Sequence, residues 1–130
     1  MIEQTSLYDR VGGMPFFERL VAGFYQRVAT DEVLRPLYPE RDLFPAQLRL
    51  TLFLAQYWGG PRTYEHERGH PRLRMRHVPF AIGTPARDRW LLHMRASLAE
   101  LSQDTPIPLD AALELDRYLQ MAADAMRNRE

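Results

Sequence analysis

The chain has 130 residues, 45% of them hydrophobic and 26% charged, which is the size and balance of one folding unit with its own core and excludes disorder or low complexity. Lys+Arg and Asp+Glu are 17 each, so a net charge of +0 leaves no global field to gather nucleic acid or an anionic membrane. All the cations are arginines and there is no cysteine, which excludes lysine Schiff-base and phosphate-loop chemistry, disulfides, thiolate zinc, iron–sulfur clusters and thioether-anchored haem.

Met1 to Arg10 is polar without an apolar core, and no run reaches the roughly 18 apolar residues of a membrane span. A cytoplasmic protein is the expectation. Ten prolines fall between apolar-periodic segments, and no stretch alternates long enough to form a strand, so the chain reads as all-α. Ser6 caps a short helix through Val11, ended by Gly12-Gly13. Pro15 then opens a helix to about Ala29, with Phe17, Leu20, Val21, Phe24 and Val28 as its buried stripe and Tyr25 at the edge.

A short helix is expected over Asp31–Leu37 and a turn over Tyr38–Asp42, after which Pro45 opens a second long helix, Ala46–Trp58, apolar on nearly every side. Gly59-Gly60-Pro61 stops it, and the segment up to Pro71 reads as a polar loop. Pro71 starts a brief helix through His77. Thr84-Pro85 caps a third long helix marked by Trp90, Leu91, Met94, Leu98 and Leu101 and broken by Asp104–Pro108. A last helix buries Leu109, Leu113, Tyr118 or Leu119, Ala122 and Met126 and turns Asp110, Glu114, Asp116 and Asp124 outward. Periodicity does not separate a plain bundle from crossed helix pairs.

Between Arg62 and His77 lie five arginines (62, 68, 72, 74, 76) and three of the four histidines (66, 70, 77), against Glu65 and Glu67. Arginine forks match carboxylate and phosphate oxygens, so the segment reads either as the cationic rim of a pocket for an anionic ligand or as a solvated loop balancing the acidic last helix. His66 and His70 alone are too few ligands for zinc, Glu40 and Asp42 read as exposed carboxylates, and Ser6, Ser97 and Ser102 sit in no nucleophile-elbow context. His77 differs, because it lies where a cationic helix face meets Val78-Pro79-Phe80. One imidazole, an apolar cavity and cations for two propionates are what a haem requires. The alternative is a structural histidine.

Phe24-Tyr25, Leu37-Tyr38-Pro39-Glu40, the run from Gln56 to Tyr64, the run from Arg68 to His77 and Asp88-Arg89-Trp90-Leu91 together resemble the truncated haemoglobins of group II, the bacterial and plant two-over-two globins, from roughly Ser6 to Met126. The resemblance implies one domain over residues 1–130, with its core at about 6–126, folded as a globin-like two-over-two helical sandwich around one haem b, iron protoporphyrin IX. His77 would be the proximal iron ligand, with Tyr25, Tyr38 and Trp90 on the distal side. Taken alone, Tyr25 reads rather as an edge tyrosine with a wet tip, and Trp90 equally as a core anchor. Ala46 and Leu50 would flank the ligand, and Arg49, Tyr64, His70 and Arg76 would serve the propionates. Phe53, Met75, Phe80 and Met94 complete the implied cofactor contacts. Gly12-Gly13 and Gly59-Gly60 would be hinges, and Phe44-Pro45 departs from the family's smaller residues, so a narrower or stiffer entrance beside Ala46 is expected.

The implied function is reversible dioxygen binding at a penta-coordinate iron. Distal donors that slow its release suit redox chemistry on dioxygen, nitric oxide or peroxide, in the manner of a nitric oxide dioxygenase or a peroxidase served by an unidentified reductase. A carrier or sensor without turnover is the alternative, as a monomer or homodimer. A helical module docking an anionic partner through Arg62 to Arg76 is a third.

Overall fold

In a computed structural model describing residues 5–129, every regular element is helical: α1 (Leu7–Arg10), α2 (Met14–Val28), α3 (Phe44–Tyr57), α4 (Thr63–Arg68), α5 (Leu73–His77), α6 (Thr84–Asp104) and α7 (Leu109–Met126). The apolar stripe predicted on α2 is its inner face, with Phe17, Leu20, Val21, Phe24 and Val28 all buried. That face lies mainly on α6 and also on α3, while α6 packs on α7, so two helix pairs are stacked on one another. No helix among the described residues is long and apolar enough to cross a membrane.

The α2–α6 crossing is tight for a local reason. A Cβ on Gly23 would run into the Ser97 hydroxyl and stand 3.3 Å from the Ser97 Cβ, so glycine at 23 lets α2 and α6 approach this closely with Ser97 in place. Ser97 is buried, and its hydroxyl donates to Leu20 O at 2.7 Å, which satisfies it across the interface. Ser6 caps α1 as predicted, its Oγ accepting from Asp9 N at 3.2 Å. At α6 the capping position belongs to Gly83 and the helix begins at Thr84, each one residue earlier than expected from Thr84-Pro85.

Two expectations from the sequence are corrected. The predicted Asp31–Leu37 helix is a turn followed by one 3-10 turn, Arg35–Leu37. Asp31 caps the turn, its Oδ1 accepting from Val33 N at 2.7 Å and from Leu34 N at 2.9 Å, but Pro36 and Pro39 carry no N–H to continue the i→i−4 ladder, so regular helix does not develop. The predicted polar loop before Pro71 contains α4, which buries Tyr64 and is anchored by Gln56 Oε1, accepting from Glu65 N at 2.9 Å. One apolar residue in a helix of six leaves no periodicity to read.

Asp31 is also the one acid at the centre of a buried polar cluster. Its Oδ2 takes His93 Nε2 at 2.6 Å and Arg89 at 3.3 Å, and its side chain is 1% exposed. Burial alone would raise its carboxyl, but the His93 hydrogen bond, the Leu34 and Val33 amides and Arg89 outweigh it and pull the pKa from 3.8 down to about 2. A depressed carboxylate stabilises the fold above its unfolded pKa and loses that contribution as pH falls through the folded value. The stake is about 2 kcal/mol. Asp31→Asn is therefore expected to lower stability at neutral pH by that order and to flatten the acid limb below pH 4 in denaturant unfolding; an unchanged acid limb would contradict this.

Candidate functional site

A cavity of about 480 Å³ is walled by α3, α5, α6 and α7, the Leu34–Glu40 turn and Tyr25 of α2. Its polar wall is aromatic. Tyr25 and Tyr38 meet edge to face with centroids 5.5 Å apart, and Phe24 packs edge-on against both Tyr25, at 5.0 Å, and Trp90, at 5.7 Å. Phe24 thus fixes from behind two of the three residues that line the cavity. Burial, reinforced by the neighbouring Tyr38 phenol, pushes the Tyr25 hydroxyl far above the ordinary phenol range, and burial raises Tyr38 as well. Both therefore remain protonated donors at any physiological pH, and the Trp90 indole can only donate.

His77 contributes to the same cavity from the last turn of α5. Its Nδ1 lies 2.6 Å from Leu73 O. A carbonyl only accepts, so Nδ1 carries the proton and Nε2 keeps its lone pair, the tautomer of a histidine ready to ligate a metal. The short helix is latched from outside: Asn128 Nδ2 donates to His77 O at 3.3 Å and Phe80 O at 2.9 Å, and its Oδ1 accepts from Ile82 N at 2.8 Å. The chain just beyond α7 thus holds the turn that carries the imidazole, a long-range tie that no local pattern in the sequence announces.

The rim is cationic. Arg49 and Arg76 line the cavity with Tyr64, joined by Arg68. Arg49 reaches Glu40 at 3.4 Å. Arg76 donates to Pro71 O at 2.7 Å and Arg68 O at 3.0 Å, so it braces the loop as well as facing the cavity. Glu40, read from sequence as exposed, is half-buried in the cavity wall. Ala46, Leu50, Phe53 and Phe80 supply apolar lining, as implied.

Three implied contacts lie elsewhere. Met94 is wholly buried in the core behind the wall. Met75 is 58% exposed, because Leu73, Arg76 and His77 share the inward face of α5 and residue 75 falls on the other. His70 is exposed, its Nδ1 accepting from Arg72 N at 3.1 Å. Phe44 is 59% exposed and does not line the cavity. The acidic face of α7 is paired with Arg10, Arg87 and Arg95, so the Arg62–Arg76 segment does not balance it. Sequence reasoning missed Tyr118, Ala122, Ala123 and Met126 as cavity residues. Three of them were marked on the inner face of the last helix, but Leu109 and Leu113, expected on that face, are 74% and 55% exposed, and Ala111, Leu115 and Leu119 are buried in the first three turns instead, so spacing gave neither the face there nor whether core or cavity lies behind it.

The family model described as bacterial-like globin matches residues 6–128. The chain is similar to a thermostable hemoglobin from the actinobacterium Thermobifida fusca, whose crystal structure is 56% identical with a TM-score of 0.90 over 95% of this chain and 98% of that one. The crystal structure of hemoglobin from the thermophilic phototrophic bacterium Chloroflexus aurantiacus is 48% identical, with a TM-score of 0.91 over 97% and 100% of the two chains. Group 2 truncated hemoglobin YjbI of Bacillus subtilis (strain 168) is 42% identical over 91 residues, 70% of this chain and 67% of that protein.

Proposed function

The chain belongs to the bacterial-like globin family as a group II truncated, two-over-two haemoglobin, and on that premise we propose that its cavity holds one haem b through His77 and binds dioxygen reversibly under the donors Tyr25, Tyr38 and Trp90. The observation that carries this reading is the His77 ring, its Nδ1 held by Leu73 O at 2.6 Å and its Nε2 without a partner among the described residues, in the wall of the cavity that also contains all three polar aromatics. When bound, haem supplies the iron at which diatomic ligands bind and electrons are exchanged. The donor set fits it: one neutral imidazole, an apolar interior, and a cationic rim for two propionates.

Each residue then has a distinct task. Leu73 O and Asn128 hold the imidazole's tautomer and orientation, and the Leu73 carbonyl makes it a better electron donor. Tyr25, Tyr38 and Trp90 present hydrogen-bond donors to a ligand that draws charge as it binds, and being prepositioned by packing they lose little freedom in doing so. Slow release follows, which favours redox chemistry on held dioxygen, nitric oxide or peroxide over bulk carriage. The reading includes a cytoplasmic monomer or homodimer reduced by a separate reductase. Absorption spectra of the reduced, haem-loaded protein through cycles of oxygenation and argon purging test it. Repeated return to the reduced spectrum is expected; oxidation at the first exposure would overturn reversible binding.

Arg49 supplies a further expected outcome. Arg49→Ala removes a charge-assisted contact at a half-exposed rim and should weaken haem retention by ~0.5 to 2 kcal/mol without altering the ligation spectrum. Transfer of haem to an acceptor protein measures it. Arg76→Ala should cost more, because it also frees the carbonyls of Pro71 and Arg68. Unchanged transfer in both would assign the propionates to Arg68 and Tyr64.

A further inference from the structure

Resting on the haem reading, we propose that Asp31, His93 and Arg35 are positioning residues for the distal donors: together they fix the turn that carries Tyr38 to the stretch of α6 that carries Trp90, and so set how closely these two donors converge on one bound ligand. None of the three lines the cavity. Each acts through a neighbour that does.

Asp31 is the joint. It lies just after α2, its side chain is 1% exposed, and its two oxygens face different elements. Oδ1 holds the start of the turn through Val33 N and Leu34 N, and Leu34 is itself a wall residue. Oδ2 faces α6, where it accepts from His93 Nε2 at 2.6 Å and from Arg89 at 3.3 Å. Trp90 lies between those two donors, directly after Arg89 and one helical turn before His93. Moving the turn away from α6 would leave a buried carboxylate short of partners, which is costly, so the joint is stiff.

Arg35 holds the far end of the turn. Its guanidinium donates to Tyr38 O at 3.0 Å, Glu40 O at 2.9 Å and Arg41 O at 3.1 Å, so a planar fork closes the backbone around the residue that carries the distal phenol. From α6 the contacts run without a gap through His93, Asp31, the capped turn and Arg35 to the Tyr38 backbone. Tyr25 is placed separately, by α2 and the Phe24 ring.

Ligand selectivity follows from this frame. Two donors aimed at one outer atom favour a ligand that gathers charge over one that does not, and misalignment weakens a hydrogen bond steeply. Loosening the frame therefore lowers the preference for dioxygen over carbon monoxide while every donor is still present.

The test is the carbon monoxide stretching band, with dioxygen and carbon monoxide release rates, of the haem-loaded variants His93→Ala, His93→Gln, Arg35→Ala and Arg35→Lys. Ser97→Ala is the control for lost stability alone, since Ser97 bonds Leu20 O across the α2 and α6 interface and does not line the cavity. His93→Ala and Arg35→Ala should each broaden the band and shift it upward, as donors reach the ligand oxygen less well. Dioxygen release should quicken on the order of three- to tenfold, and carbon monoxide release should stay within about twofold of wild type. His93→Gln, whose amide still donates to Asp31, should restore most of the wild-type band. Arg35→Lys, which spans fewer carbonyls, should shift it less than Arg35→Ala and in the same direction, and it reads the Arg35 contact even if the alanine variant does not fold. A wild-type band and wild-type release rates in the His93→Ala and Arg35 variants, or the same changes in Ser97→Ala, overturn the frame and leave the haem reading intact. Absence of the Soret band in wild type overturns both.

Discussion

His77→Gly will lose haem at least on the order of a hundredfold faster than wild type, and free imidazole will partly restore the ligation spectrum. Removing only an outer partner of a metal ligand costs ten- to a hundredfold in affinity, so removing the ligand itself sets that as a floor. His77 is the one histidine among the described residues in the cavity wall, since His66 and His70 are exposed and His93 is committed to Asp31 at 2.6 Å. The glycine leaves space of imidazole shape in α5 while the turn beyond stays latched, because Asn128 holds backbone carbonyls rather than the ring. Time-resolved transfer of haem to an acceptor, followed at the Soret band with and without imidazole, gives both numbers. Retention equal to wild type would assign the iron ligand elsewhere.

Trp90→Phe and Tyr25→Phe will each speed dioxygen release by on the order of ten- to a hundredfold. Each deletes one donor and keeps an aromatic body, and a hydrogen bond to a charge-bearing acceptor is worth ~1.5 to 3 kcal/mol, here acting on dissociation. Packing should survive, because both rings lean edge-on against Phe24 through their carbon frames. Carbon monoxide, which gathers less charge, should be released at rates closer to wild type. The two effects will not add, because both donors serve one ligand and Tyr38, 5.5 Å from Tyr25, can turn toward the gap left there. Stopped-flow release separates the cases, and less than a twofold change in both variants would remove the physical basis for held dioxygen.

What could be read in advance follows the physics of each signal. The α2 stripe was legible because five apolar residues at helical spacing admit one solution, and all five are buried. The cavity's polar aromatics were legible only through the resemblance, since spacing alone left Tyr25 an edge residue and Trp90 a core anchor. Met75, 58% exposed, lies on the face of α5 opposite Leu73, Arg76 and His77, a placement that helical spacing decides and the resemblance does not. Tyr118 was seen as inward but not as a cavity wall, because inwardness is local and a cavity is made by elements far apart in sequence. The Asn128 latch and the Gly23–Ser97 approach have no local signature at all; both depend on chain segments more than forty residues apart.

The most direct measurement is titration of the haem-free protein with ferric haem, followed at the Soret band together with unfolding by denaturant. The account predicts a sharp end point at one haem per chain and a stability that rises with haem concentration, as mass action requires of a ligand that binds only the folded state. A Soret band that grows without an end point, or a stability indifferent to haem, would contradict it.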